Sequence, residues 1–547
     1  MSLFSRQTHF NAFKKVSPLL LGTMVLGAMA ATLTAFLPAK GAERIQFFYG
    51  PFEPTIYVDD LETFAKTGEV ADRLEVLTDR LDDEQENSLR LFLNAQYSID
   101  EVSISQFAYS PLGESLLQSL GEIVQTDNFL NGGKAIRAAL IFAAAESIEG
   151  MTVMTVLQQY PLETIQIDIS RLQSLLTESE QVFRHRESVI SEIEQLSDSQ
   201  AVGGFAPTIG ADPQLQGVYS WEVQTIQFQN PERAVSSLAD IYYPLTSGEE
   251  LQNIPVIAIS HGVASNRETL AYLAEHFASH GYGVVVPEHV GTNTEKFRRF
   301  LNGVEGSPNP EEFILRPQDI TAVLDTLEIK QLTDRRLEQW DLASVGILGH
   351  SLGGYTALSV GGASLNQTPL SEPCTALSNW VPINPSMLIQ CEISALSSEG
   401  PTVLADSRIQ AIVALNPLTS HVFGRSGLEH IQVPVMMVAG ENDTFTPAVP
   451  EQIEPFSWLT TEEKTLVFIE QGTHFSLLSG SSSSVLPVPQ GTVGPDPHQA
   501  QPQIRALSLS FFDQHLRDQL EAKAFLNQAY LNEFPAEPFK FNIVTAF

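Results

Sequence analysis

The chain has 547 residues, of which 43% are hydrophobic and 17% charged, so its composition is that of a folded globular protein and not of a disordered one. At roughly 150 residues per domain, two to four domains are expected. Thirty basic against 65 acidic residues give a net charge of −35, which excludes a phosphate-neutralising surface and therefore nucleic acid as a partner. The two cysteines exclude a disulfide scaffold and a four-cysteine zinc site, but allow one bridge.

Residues 1–42 differ in composition from the rest of the chain, since they contain four basic residues and no acidic one. A basic stretch, an uncharged apolar run and then small residues form the pattern of an export signal, with candidate cleavage after Ala30 or Ala42. The alternative is a retained anchor, because the run is long enough to cross a bilayer of roughly 30 Å. We therefore expect an exported protein, periplasmic or extracellular, whose N-terminal segment either is removed or attaches it to the membrane. In such a compartment a Cys374–Cys391 bridge would persist.

The pattern of residues 43–200 predicts a mostly α-helical domain. Asp59 and Glu62 have the spacing of a capping box that opens a helix, and residues 45–58 alternate as in a small hairpin. Further helical runs are predicted at residues 88–95, 112–124, 134–146 and 169–196. No His, Cys, Asp or Glu side chains recur here at a spacing that indicates chemistry, so we expect a packing domain or one that binds an unidentified partner.

Residues 201–217 are rich in Gly, Pro and Ala and are predicted to be a linker. Residues 218–547 then alternate short apolar segments with helical runs, which predicts an α/β domain: a mostly parallel, eight-stranded sheet with helices on both faces. The eight strands are expected at residues 221–228, 237–243, 256–259, 283–286, 345–348, 409–415, 433–438 and 465–469. Residues 363–406 interrupt the alternation and form an insertion that would cap a site at the carboxyl ends of the strands.

The fifth predicted strand runs directly into a G-x-S-x-G sequence that is followed by a helix. A nucleophile elbow has this arrangement, because its turn is so sharp that a Cβ atom at either flanking position would clash. Gly349 and Gly353 meet that requirement, and Ser351 is the candidate nucleophile. A serine is a weak nucleophile at neutral pH, so it needs a base within hydrogen-bond reach and an acid that orients the base.

The acid and the base are expected on loops after later strands, in the chain order serine, acid, histidine. Asp443 heads the loop after the strand at residues 433–438, and His474 follows the strand at residues 465–469. Glu441 shares the loop of Asp443 and is the rival candidate for the acid. Ser351, Asp443 and His474 are therefore the predicted catalytic triad.

An oxyanion needs two preorganised donors, and removal of one typically costs roughly 3 to 4 kcal/mol of barrier. The N–H of Leu352, directly after the nucleophile, is the first candidate, and the N–H of Val263, in the loop after the third predicted strand, is the second. His261 in that loop is predicted to be structural, since His474 already occupies the position of the base. The remaining histidines show no metal-ligand spacing and no nucleotide-binding glycine loop is present, so neither a metal nor a cofactor is expected.

Residues 218–525 resemble the predicted dienelactone hydrolase and platelet-activating-factor acetylhydrolase group of α/β-hydrolases. The resemblance is carried by the elbow and by the segments at residues 259–263, 273–289 and 316–325. It implies that the catalytic and oxyanion residues of the group correspond to Ser351, Asp443, His474, Leu352 and Val263. It also implies the α/β-hydrolase fold.

Two departures from this group limit what the resemblance implies. Dienelactone hydrolases use a cysteine nucleophile, whereas this chain has Ser351, so a dienelactone substrate is not inherited. The acetylhydrolases carry their acid where this chain has Asn416, and an amide does not stabilise an imidazolium as a carboxylate does. The position of Asp443 instead resembles that of the acid in bacterial lipases and polyester hydrolases.

Residues 43–195, including the segment at residues 105–114, resemble a helical domain of unknown function that precedes such hydrolases in bacteria; this resemblance implies no chemistry. The expected function is an exported serine hydrolase of short-chain or lipid-like carboxylic esters, since Phe475, Leu477 and Leu478 suggest an apolar lining. One alternative keeps the triad but transfers the acyl group to an alcohol. The other is a binding or scaffold protein that acts through its helical domain.

Overall fold

The computed structural model describes residues 41–48, 54–78, 81–146, 150–201, 212–246, 251–366, 374, 384–396, 404–479 and 490–545. The expected leader at residues 1–42 lies almost entirely outside these ranges, as do the middle of the linker at residues 201–217 and much of the insertion at residues 363–406. Within the described ranges, no helix is both long and apolar enough to span a membrane.

The N-terminal domain combines helices with a small sheet. Its strands are β1 (Arg44–Phe48), β2 (Thr55–Tyr57), β3 (Val124–Gln125) and β4 (Thr164–Asp168), arranged in the order β2-β1-β4-β3. Its helices are Val58–Thr67, Glu75–Thr78, Asp83–Asn94, Glu101–Ala108, Pro111–Ile123, Gly133–Glu146, Val153–Gln158 and Ile169–Gln200. The sequence predicted helical runs that overlap Val58–Thr67, Asp83–Asn94, Pro111–Ile123, Gly133–Glu146 and Ile169–Gln200, and it predicted the β1–β2 hairpin. It did not predict the helices Glu101–Ala108 and Val153–Gln158, or the strands β3 and β4 that complete the four-stranded sheet.

The capping box predicted at Asp59 is wrong. The helix begins at Val58, its N-cap is Tyr57 without a side-chain cap, and Asp59 lies in the first turn. A carboxylate is favoured there by the helix dipole, which explains why an acidic residue stands close to the helix start. A capping box forms instead two helices later, at the start of Asp83–Asn94, between Asp82 and Gln85.

The larger sheet has nine strands among the described residues. They are β5 (Ser220–Phe228), β6 (Ser237–Leu245), β7 (Ile254–Ser260), β8 (Gly283–Pro287), β9 (Trp340–His350), β10 (Ile409–Leu415), β11 (Val435–Gly440), β12 (Lys464–Glu470) and β13 (Lys540–Val544), in the order β13-β12-β11-β10-β9-β7-β8-β6-β5. Strands β7 to β12 pair in parallel, whereas the pairings made by β5, β6 and β13 are antiparallel. The sheet is therefore mixed and nine-stranded, which corrects the predicted mostly parallel sheet of eight strands.

Helices cover the sheet on both faces. Along β7, Val256 and Ala258 point into one buried cluster, whereas Ile257 and Ile259 point into the other, as the alternation of a strand requires. The helices of this domain are Ala271–Ser279, Thr294–Leu301, Glu312–Gln331, Leu352–Val360, Ser386–Gln390, Gly424–Leu428, Glu454–Trp458, Gln490–Val493, Gln501–Leu516 and Gln528–Glu533. Two buried apolar layers thus hold the strand ends in a fixed arrangement.

The long helix Ile169–Gln200 joins the N-terminal domain to the larger sheet. Near its C-terminal end Ile193 is fully buried in the core of the larger sheet, and the Ser197 hydroxyl donates to Gln528 Oε1 at 2.5 Å. Earlier in the same helix, the Arg186 guanidinium donates to the carbonyl oxygen of Glu441 at 2.8 Å. The helix therefore seats the N-terminal domain on the edge of the sheet next to β13.

Candidate active site

Ser351 lies at the turn between β9 and the helix Leu352–Val360. Its backbone has φ +56° and ψ −121°, a conformation that residues with a side chain rarely adopt and that clusters at functional sites. A Cβ atom at Gly349 would lie 2.0 Å from the carbonyl oxygen of Gly353, and one at Gly353 would lie 2.0 Å from that of Ser260. A side chain at either glycine would therefore clash in this turn, and Ser351 lines the cavity at this end of the sheet.

Asp443 and His474 meet beyond the carboxyl ends of β11 and β12. His474 Nδ1 lies 2.7 Å from Asp443 Oδ2, and both side chains are buried. This hydrogen bond requires the proton on Nδ1, which leaves Nε2 of the neutral ring as a proton acceptor. His474 and Ser351 line the same cavity.

The Asp443 carboxylate accepts several hydrogen bonds besides that from His474. Its Oδ1 accepts the N–H groups of Phe445 and Thr446, each at 2.8 Å, and its Oδ2 accepts Asn416 Nδ2 at 2.7 Å and the Thr446 hydroxyl at 2.9 Å. Burial acts to raise the pKa of Asp443, but His474 and these donors outweigh it, so the pKa lies below its ordinary value. The group is an ionised carboxylate at neutral pH.

The two other candidate positions for the acid, Glu441 and Asn416, do not contact His474 as a carboxylate. Glu441 Oε2 accepts the N–H of Gln471 at 2.9 Å, and its Oε1 lies 3.5 Å from Arg186. Asn416 has φ +45° and directs its amide at Asp443. The carboxylate in contact with His474 is thus that of Asp443, and Asn416 positions it.

Both predicted oxyanion residues, Val263 and Leu352, line the cavity beside Ser351. A Cβ atom at Gly262 would lie 3.3 Å from Ser351 Cβ and 3.1 Å from His350 Nδ1, so the loop that carries Val263 is pressed against the elbow. Leu352 is the first residue of its helix, and the N–H groups of a first helical turn have no partner within the helix. The structure therefore places both residues at the same cavity as Ser351.

Buried groups fix the loop that carries Val263. The Arg316 guanidinium, fully buried, donates to the carbonyl oxygen of His261, to Thr292 Oγ1 at 2.5 Å and to Thr356 Oγ1 at 3.2 Å. His261 Nε2 accepts the N–H of His289 at 3.0 Å. Burial, reinforced by His289 and Arg316, lowers the pKa of His261 well below its ordinary value. His261 is therefore a neutral, structural side chain.

His350, the residue before the nucleophile, supports the loop of the base. Its Nε2–H donates to the carbonyl oxygen of His474 at 2.8 Å. Burial, together with the neighbouring His474, lowers the pKa of His350 to about 3, so its ring stays neutral at physiological pH. A neutral donor at this position fixes the backbone of His474 without adding a charge beside it.

The cavity at Ser351 has a volume of about 800 Å³ and a mostly apolar lining. Phe475 and Leu478 line it, as the sequence suggested, whereas Leu477 is buried in one of the two apolar cores and does not. From the insertion, Leu388 and Ile389 of the helix Ser386–Gln390 line part of the cavity.

The insertion is held in place in two ways. Cys374 and Cys391 form a disulfide bridge across it. Its Gln390 amide donates to Glu451 Oε1 at 2.9 Å, and the Glu451 carboxylate also accepts the N–H groups of Thr419 at 2.6 Å and Ser420 at 3.0 Å. In the part of the chain that the structure describes, no group of three or more His, Cys, Asp or Glu side chains could hold a metal ion.

Sequence reasoning missed two kinds of site residue. Thr446, which donates to Asp443, stands three positions after the acid, a spacing that favours a side-chain bond within a turn and was available as a signal. Phe107 and Leu112 of the N-terminal domain also line the cavity. No local pattern could have indicated them, because they approach the site from a separate domain.

Residues 41–168 match the sequence model of a family described as alpha/beta hydrolase of unknown function (DUF1400). The matched span covers most of the N-terminal domain and not the sheet that carries Ser351. No curated protein matches the chain. The family match and the sheet of parallel strands flanked by helices together support an α/β hydrolase.

Proposed function

We propose that this α/β hydrolase is a serine hydrolase that cleaves uncharged carboxylic esters through an acyl-enzyme. The proposal rests on one observation above all: a 2.7 Å hydrogen bond joins His474 to the buried Asp443, and His474 shares a cavity with Ser351 on its elbow. A serine, a histidine with an accepting Nε2 and an orienting carboxylate are the groups that acyl transfer needs.

In the acylation half-reaction, Ser351 Oγ attacks the ester carbonyl carbon while His474 Nε2 takes the hydroxyl proton. The carbonyl oxygen becomes an oxyanion that accepts hydrogen bonds from the N–H groups of Leu352 and Val263. The bond from the carbonyl carbon to the alcohol oxygen then breaks, and His474 returns the proton to that oxygen. An alcohol leaves and the acyl group remains on Ser351.

Water completes the cycle by the same steps. His474 takes a proton from water as its oxygen attacks the acyl carbon, and the bond to Ser351 Oγ breaks as that oxygen regains the proton. The products are a carboxylic acid and a regenerated serine. Asp443 stays ionised throughout and stabilises the imidazolium form of His474 without itself taking the proton.

The lining of the cavity supports an uncharged acyl group. Phe475, Leu388 and Ile389 present apolar surface, and a charged group would lose its hydration there without a partner. Glu392 also lines the cavity, and burial raises its pKa to about 7, so near neutral pH a large share of it is the neutral acid. An anionic acyl group would meet no cationic partner among these residues.

The test is hydrolysis of p-nitrophenyl acetate, butyrate and octanoate at neutral pH by the full chain and by Ser351→Ala. The variant should lose at least about a thousandfold in kcat, since removal of a triad member leaves only the oxyanion hole and binding. Ser407→Ala, at an exposed serine before β10, is the control and should retain full activity. Hydrolysis that is unchanged in Ser351→Ala would contradict the proposal.

Export of the protein belongs to the same proposal. The bridge between Cys374 and Cys391 supports it, because such bridges persist in oxidising compartments, and so does the composition of residues 1–42. A mature N terminus after Ala30 or Ala42 in the exported fraction would support a cleaved signal, and an intact chain in the membrane fraction would support an anchor. Recovery of the chain from the cytoplasm with Met1 in place would contradict export.

A further inference from the structure

One wall of the cavity at Ser351 consists of residues that take no part in the proposed reaction. Phe107, Ser110 and Leu112, all from the N-terminal domain, line it together with residues of the larger domain. The triad and both oxyanion donors come entirely from residues after the linker. The contribution of the N-terminal domain to this site is therefore to its shape and polarity.

This wall is seated firmly on the larger domain. The helix Glu101–Ala108 contacts the helix Thr294–Leu301, whose Phe297, Phe300 and Leu301 also line the cavity. A Cβ atom at Gly303, directly after that helix, would lie 3.1 Å from Gln106 Nε2 and 3.7 Å from Val102 Cγ1. The helix Pro111–Ile123 contacts the insertion helix Ser386–Gln390.

The turn that presents the two apolar side chains is itself rigid. The buried Ser110 hydroxyl donates to the carbonyl oxygen of Phe107 at 2.7 Å and accepts the N–H of Gly113 at 3.1 Å. A Cβ atom at Gly113 would lie 1.9 Å from that same carbonyl oxygen, so the turn is tightly closed. Phe107 and Leu112 are thus held on either side of a fixed corner that faces the cavity.

Size and polarity indicate what such a cavity holds. Its volume of about 800 Å³ lies in the upper part of the range of small-molecule sites. An acetyl group would leave most of the apolar lining in contact with water, whereas each further methylene buried there improves binding by roughly fourfold.

We propose that the N-terminal domain is a wall of the acyl pocket and that the substrate is an ester of a medium- or long-chain carboxylic acid, whose chain lies against Phe107 and Leu112. This rests on the proposed function, since it requires Ser351 to accept the acyl group. It assigns the N-terminal domain a role in specificity. This domain selects the length of the acyl chain, and the larger domain carries the residues that perform the reaction.

The test treats the full-length protein with p-nitrophenyl esters of ethylphosphonic and dodecylphosphonic acid, in which the alkyl group on phosphorus takes the place of the acyl chain. In the labelling step a bond forms from Ser351 Oγ to phosphorus, the bond to the p-nitrophenyl oxygen breaks, and the serine proton passes to His474. The rate of p-nitrophenolate release is measured for each chain length, and the adduct is located by peptide mass.

Leu112→Trp narrows the pocket and should lower the ratio of the dodecyl rate to the ethyl rate by at least about tenfold. This is the effect expected when two or three methylene groups of the alkyl chain are no longer buried. Leu120→Trp is the matched control, because Leu120 lies on the same helix but is 40% exposed, and its ratio should not change. Should Leu112→Trp fail to fold, Phe107→Ala removes apolar contact instead and should also lower the ratio, severalfold.

The outcomes separate the two proposals. The proposed role of the N-terminal domain is overturned if the wild type is labelled at Ser351 without a preference for the dodecyl compound. It is also overturned if the rate ratio is the same in the wild type, Leu112→Trp and Phe107→Ala. In both cases the proposed serine hydrolase stands. If no phosphonate labels Ser351 in the wild type, the proposed function is overturned and the inference falls with it.

Discussion

The carboxylate that orients the base is chosen by local geometry. Two carboxylic acids stand within one loop, but Glu441 turns toward the N–H of Gln471 and toward Arg186, whereas Asp443 turns toward His474. The amide of Asn416 adds a donor to Asp443 from the next strand end. A buried acid with these donors stays ionised, as a partner of an imidazolium must.

Asp443→Asn should lower kcat for p-nitrophenyl butyrate by roughly a thousand- to ten-thousandfold, because an amide stabilises the wrong tautomer of the histidine and cannot stabilise its cation. Glu441→Gln, the matched change in the same loop, should leave kcat nearly unaltered. Steady-state kinetics of the two variants decide the matter. A large loss in Glu441→Gln with little loss in Asp443→Asn would assign the acid to Glu441 instead.

At the scale of elements, continuous apolar runs made the central strands predictable. The central residues of strands β7 to β12 are buried on both faces, so the sequence there is almost continuously apolar and stands out from the helices between the strands. The edge strand β13 was missed, because its five residues include Lys540 and Asn542 and no further strand signal follows. Strand β4 was missed because its alternation, with Ile165 and Ile167, runs directly into a long helix.

The elbow was predictable because its constraint is purely steric. A Cβ atom at Gly353 would lie 2.0 Å from a backbone oxygen of β7, so Gly353→Ala must displace either the helix Leu352–Val360 or the strand end. Misplacement of a catalytic group by about 1 Å typically costs about a hundredfold in rate.

Gly353→Ala should therefore lower kcat by about a hundredfold and also lower the melting temperature, since overpacking typically costs 1–3 kcal/mol. Gly306→Ala is the control, because a Cβ atom there would have nothing within 4 Å. Activity assays and thermal melts of both variants measure the difference. Full activity in Gly353→Ala would contradict this account, because the elbow would then accommodate a Cβ atom at residue 353 without displacing Ser351.

At the scale of the whole molecule, the docking of the N-terminal domain could not be predicted. Phe107 and Leu112 approach a cavity whose nucleophile is far along the chain, and no periodicity within their helices distinguishes a side chain that faces a cavity from one that packs in a core. The helix Ile169–Gln200 was predicted nearly in full, but not its burial at Ile193 against the larger sheet. Local patterns predict elements, whereas contacts between domains depend on shape.

Buried neutral histidines should make the folded state sensitive to acid. Burial lowers the pKa of His276 and of His350 to about 3, from an ordinary value of 6.5. The unfolded chain therefore binds more protons than the native state below about pH 6.5, and stability is lost as the pH falls from there toward 3.

The denaturant concentration at the midpoint of unfolding of the wild type should accordingly decrease as the pH is lowered from 6.5 to 4. In His276→Phe, which removes one buried titrating group, the fall should be shallower. His498→Phe is the control, since the side chain of His498 is 68% exposed, and it should follow the wild type. Identical slopes for all three proteins would show that buried histidines do not govern the acid response.

The most direct test of the central claim, that Ser351 is the nucleophile of a working triad, is its labelling by diethyl p-nitrophenyl phosphate. The full chain should release one equivalent of p-nitrophenolate, and the diethylphosphoryl group should be found on the peptide that contains Ser351. Ser351→Ala should remain unlabelled. No labelling of the folded wild type, or a label on another residue, would contradict the account.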